Sequence, residues 1–125
     1  MIDPADSSAP LNACPMARKN PELFQTAVQE YCEAVQLAVQ EAVARSDHRS
    51  LARIRDLARR AGREDAVPQD LIAVHLSSLV IIVKNKPEKM AKACVRQSRL
   101  LLVKMIGELA LFYREQAVPR QAAVQ

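Results

Sequence analysis

Between residues 21 and 116 apolar side chains return at steps of three and four, the spacing that gathers them on one side of an α-helix. Phe24, Val28, Tyr31, Val35, Ala38 and Ala42 form the first such stripe and predict a helix from about Pro21 to Arg45. Asn20 stands at the capping position, Pro21 suits the first turn, and Glu22 faces the positive end of the helix dipole. Gln25, Gln29, Gln36 and Gln40 take the outer positions with Glu30, Glu33 and Glu41. Leu51, Ile54, Leu57, Ala58 and Ala61 predict a second helix from Asp47 to Ala61, capped by Ser46 or Asp47 and stopped by Gly62. The rest is basic, with Arg49, Arg53, Arg55, Arg59, Arg60 and Arg63, some of which the glutamates of the first helix can pair.

The third pattern starts at Pro68, after the polar turn Arg63-Glu64-Asp65, and ends near Lys84. Leu71, Ile72, Val74, Leu76 and the run Leu79–Val83 leave little of it polar. A helix that is apolar nearly all round is covered on more than one side, so it is expected either in a central position or against a second chain. The fourth pattern opens at Pro87 and reaches Gln116, a helix of ~45 Å at the standard rise. Its stripe is Ala91, Cys94, Val95, Ser98, Leu101, Leu102, Met105, Ile106, Leu109, Phe112 and Tyr113. This helix overhangs the second and third, which again points to a dimer or a partner groove.

The expectation is an all-α, four-helix bundle-like domain over residues 21–117, dimeric, between two tails. Residues 1–20, with Pro4, Pro10 and Pro15, are expected to be a flexible, disordered N-terminal tail, and residues 118–125 a short C-terminal one. Composition agrees. Aromatic residues are 3% of the chain, so the core must be Leu, Ile, Val, Ala and Met, which suits helix-on-helix packing better than a β-sandwich. Only Gly62 and Gly107 occur, too few for hairpins or phosphate-cradling loops.

Candidate chemistry is sparse. Cys14, Cys32 and Cys94 show no CxxC spacing, so neither a zinc site nor a disulfide framework is expected, and free thiols fit a reducing cytoplasm. The N-terminus has no signal-peptide core and no apolar run is long enough for a bilayer, so a cytoplasmic protein without a membrane anchor is expected. The protease HExxH, c-haem CxxCH, P-loop and GxGxxG motifs are all missing, as is any Ser/His/Asp set. No metal, no cofactor and no enzymatic activity are expected. His48 falls at a helix start and reads as surface, and Cys94 reads as core.

Two features remain. His75 shares a face with Leu71 and Leu79, either as a core or interface histidine with a satisfied ring nitrogen, or as a phosphotransfer histidine. The second reading lacks the Lys and Gly that help a phosphoryl group approach, since Leu76, Ser77, Ser78 and Leu79 follow instead. Lys89, Lys92, Arg96 and Arg99 step by three and four along the fourth helix and share one side. They form a solvated face or a docking strip for an acidic partner. A net charge of +4 without interleaved aromatics makes nucleic acid the weaker alternative.

The stretch Gln69–Leu79 resembles the N-terminal partner-binding domain of RsbU-type phosphatases, through Ile72, Val74, His75 and Leu79. Leu102–Glu115, with Phe112, Tyr113 and Arg114, is similar to that family's last helix, and the C-terminal domain of the clock protein KaiA shares the fold. The resemblance covers roughly residues 48–116. It implies a bacterial homodimer that binds a regulatory protein, of the switch-kinase-like or anti-sigma type, in stress-response signalling. No phosphatase domain follows before Gln125, so the expectation is a non-catalytic signalling adaptor with Leu71, Val74, His75 and Ser78 at a partner or dimer surface.

Overall fold

The computed structural model describes residues 15–44 and 49–124, with side chains through Ala117. Five α-helices carry these residues: α1 (Pro15–Lys19), α2 (Pro21–Ala44), α3 (Arg49–Arg63), α4 (Pro68–Val83) and α5 (Glu88–Val124). No strand occurs among the described residues. The fold is all-α, as the periodicity requires. Four long helices close a ring in the order α2, α3, α5, α4, with α2 and α5 also touching across the short diagonal. Consecutive α3 and α4 therefore sit at opposite corners. The core is Tyr31, Val35, Ile54, Leu71, Val74, Ile82, Met105 and Leu109, all nearly inaccessible, with alanines where helices approach closely.

The ends of the helices show how the chain is held. Asn20 caps α2, its Oδ1 accepting the Leu23 N–H at 3.1 Å, as expected. The caps proposed for α3, Ser46 and Asp47, lie outside the described residues, as does His48. Glu41, from the last turn of α2, serves that end instead. Its carboxylate accepts the Ser50 N–H at 2.8 Å and the Ser50 hydroxyl at 3.2 Å, a favourable place for a negative charge beside a helix start. Asp70 is the buried equivalent for α4, accepting the Val67 N–H at 2.7 Å and the Met16 N–H at 3.2 Å.

Three boundaries differ from the sequence expectation. Pro15–Lys19 is a helix and not tail: Met16 is buried against the bundle and its backbone is held by Asp70. Residues 1–14 lie outside the described residues. Helix α5 continues to Val124 through a stretch rich in Gln and Ala, both good helix formers, although Pro119 removes one ladder hydrogen bond. Gly62 does not end α3, which runs to Arg63, and Asp65 takes the left-handed conformation with φ 62°. Gly62 is there for space. A Cβ at that position would stand 2.5 Å from Cδ2 of Phe112, a ring itself buried between α3 and α5. The expected arginine pairing is present: Arg60 reaches Glu30 with both guanidinium nitrogens, and Arg53 reaches Glu33 at 3.5 Å.

Gly62→Ala should destabilise the protein by about 1–2 kcal/mol in urea unfolding, because overpacking against Phe112 outweighs the helix propensity gained. Gly62→Ala with Phe112→Leu should recover part of that loss. A plain stabilisation by Gly62→Ala would show that the ring yields freely.

Candidate functional site

Helix α4 has two sides with opposite characters. The inward side carries a polar cluster. Tyr31 of α2 donates its single hydroxyl proton to the Ser98 carbonyl of α5 at 2.8 Å, and His75 Nδ1 lies 2.6 Å from the same oxygen. A carbonyl can only accept, so Nδ1 must carry the hydrogen and donate to Tyr31. This fixes the histidine tautomer as Nδ1–H. The rings meet edge to face with centroids 5.7 Å apart. Ser78 lies one turn further on, its hydroxyl donating to the Val74 carbonyl at 2.7 Å and near that of Val28 at 3.3 Å. Burial, and then the charge of Arg99, holds the His75 imidazole below its ordinary pKa. Burial, followed by neighbouring Cys32, pushes the Tyr31 hydroxyl far above its own. The cluster is a neutral pin through three helices.

The structure corrects the placement of Leu71, Val74, His75 and Ser78 at a partner or dimer surface. All four point inward; Leu71, Val74 and Ser78 are fully buried and His75 is 6% exposed. The reason is register: the face that packs on α2 and α5 runs through 71, 74, 75 and 78, leaving 72, 76 and 80 outside. A phosphoryl group could reach His75 only after the helices part, so the inward placement weighs against phosphotransfer.

The outward side of α4 is apolar. Ile72 is 39%, Leu76 44%, Val80 70% and Ile81 57% exposed. Between Asp70 and Lys84 the helix holds no charged residue except His75 when protonated. Along α5 the predicted residues Lys89, Lys92, Arg96 and Arg99 are all exposed, and Arg99 is close enough to α4 for its charge to act on His75. Lys92 pairs with Glu88 at 3.1 Å. The other three have no carboxylate within ion-pair distance among the described residues. On the opposite flank, α2 and α4 leave a groove of about 430 Å³ between Phe24, Val28, Cys32 and Ile81, edged by Gln25 and Gln29. Burial pushes the Cys32 thiol up, so it is a poor nucleophile. This groove was not foreseen. The alternation of Gln25 and Gln29 with Phe24 and Val28 was the available signal.

Among the described residues no group of three or more His, Cys, Asp or Glu could hold a metal ion, and no helix is long and apolar enough to cross a membrane. Glu108, also missed, is buried: Oε1 meets Lys104 at 3.1 Å, Oε2 has no hydrogen-bond partner among the described residues, and the nearby Arg59 is engaged by Glu115.

Tyr31→Phe should cost about 1–3 kcal/mol, since it strands the His75 N–H in the core, while the Ser98 carbonyl keeps its partner within α5. The depressed imidazole also sets a pH dependence. The unfolded chain takes up the His75 proton near pH ~6.5 and the folded chain only at lower pH, so this contribution is whole above pH ~6.5 and declines as pH falls below it. Thermal midpoints measured from pH 7.5 to 5.5 should fall with acid, and His75→Asn, which keeps the donor and removes the titration, should flatten that slope.

Comparison with known proteins finds no matching family model, no matching curated protein and no matching solved structure. The functional reading rests on the geometry above.

Proposed function

We propose that this chain is a non-catalytic protein-binding module, an adaptor that receives a regulatory protein on the outer side of α4. One observation carries the reading: α4 turns Ile72, Leu76, Val80 and Ile81 to solvent in an uninterrupted uncharged stretch. Contiguous exposed apolar surface bounded by polar residues is a mark of interaction sites. The RsbU-type resemblance, carried by Ile72, Val74, His75 and Leu79, fits such a role. In this reading His75 and Tyr31 support the site from behind by holding α4 in register, and they do not touch the partner.

A photo-crosslinking residue at Val80 should trap a discrete protein in cells expressing this chain, whereas the same residue at exposed Arg55 on α3 should not. Equal trapping at both positions, or none at Val80, would remove the adaptor reading.

A further inference from the structure

The outer side of α4 has two unlike edges, and their difference speaks to what covers it. On the α5 edge stand Lys92, Arg96 and Arg99, and six bases against one acid occupy Lys84–Arg99. On the α2 edge stand Gln25 and Gln29, neutral and able to hydrogen-bond, around the apolar groove of about 430 Å³. Tyr31 ties His75 and Ser98 at one level, which sets their chain neighbours Leu76 and Arg99, both exposed, at a similar height on α4 and α5. The basic row from Lys92 to Arg99, ~10 Å long at the standard helical rise, therefore accompanies the half of α4 that follows Leu76.

We infer that this face binds an amphipathic helix with carboxylates along one flank, seated lengthwise on α4. The inference rests on the adaptor reading and names its partner's chemistry. An apolar stripe at i, i+3, i+4 and i+7 meets Ile72, Leu76 and Val80. A larger apolar side chain enters the groove beside Ile81, as an anchor residue does at other helix-binding surfaces. Glutamates or aspartates on one side of the incoming helix reach Arg96 and Arg99, which have no carboxylate partner in this chain among the described residues.

Rival occupants fit less well. A second copy of this chain, laid antiparallel across a two-fold axis, sets basic row against basic row; laid parallel, it sets each basic row against glutamines. Neither supplies an acid. An anionic bilayer would be met best by bases on both sides of the apolar residues, whereas on the groove side the charge of Lys86 is offset by that of Glu33 beside Cys32.

The test uses the whole chain and two synthetic helical peptides with one leucine stripe, flanked on one side by glutamate in the first and by lysine in the second. The glutamate peptide should bind at least tenfold more tightly by fluorescence anisotropy, and more weakly as salt rises. Arg96→Glu with Arg99→Glu should weaken it at least tenfold and improve the lysine peptide, a swap that unfolding cannot imitate. Val80→Asp should weaken both. Equal binding of the two peptides, or no response to the charge reversal, would overturn the acidic-helix inference while leaving a Val80 crosslink, and thus the adaptor reading, intact. So would binding confined to phosphatidylglycerol vesicles, or light scattering showing a dimer that Val80→Asp dissolves and that excludes the glutamate peptide.

Discussion

Tyr31 lies at the centre of the core with its oxygen shared between His75 on α4 and the Ser98 carbonyl on α5. Apolar packing is non-directional and would allow α4 to slide or turn at little cost. A buried hydroxyl is directional, and leaving its partners unmet costs about 1–3 kcal/mol for each stranded group. The pin therefore selects one rotation of α4. That rotation determines that Leu71, Val74 and Ser78 go inward and Ile72, Leu76 and Val80 outward.

The outward set is the consequence of a helix with more apolar surface than its own bundle can cover. α4 touches α2 and α5 along its sides and α1 near its start, and leaves the rest of its back open, because α3 lies at the opposite corner. A helix rich in leucine, isoleucine and valine is insoluble on its own terms unless its neighbours compensate. Here the compensation is one-sided: the lysines and arginines of α5 line one edge of the strip and glutamines of α2 the other. Bases beside an apolar strip keep like surfaces apart and leave it open to an unlike one, the device by which attraction to one partner and repulsion of others combine in specificity.

Much of the fold was legible because helix signals are local. The stripe from Val28 to Ala38, the Asn20 cap and the pairing of Arg60 with Glu30 all follow from spacing within one helix or between adjacent ones. What escaped depended on tertiary contacts. Gly62 has the composition of a helix stop, yet its role is set by Phe112, which lies fifty residues away in sequence. Pro15–Lys19 has the composition of a tail, and only Asp70 makes it a helix with a fixed position. The site shows the same division. The basic row was legible from its spacing. The face of α4 was not, because a helix that is apolar all round carries no periodicity from which to tell inside from outside. His75 drew attention as the unusual residue, and its polarity is used up within the core.

The relation between the pin and the strip makes one structure out of these two sides. A core of aliphatic residues alone would hold α4 with several near-equivalent rotations, and the exposed set would differ in each. Buried polar groups that are fully met favour a single arrangement, and this one is met by a histidine with one hydrogen in one place. Its neutrality matters as much as its geometry. Protonation would put a charge into the core beside Arg99, so the same burial and the same arginine that hold the imidazole neutral also guard the register of the helix. Arg99 is thus exposed on α5 and still close enough to repel a charge on His75.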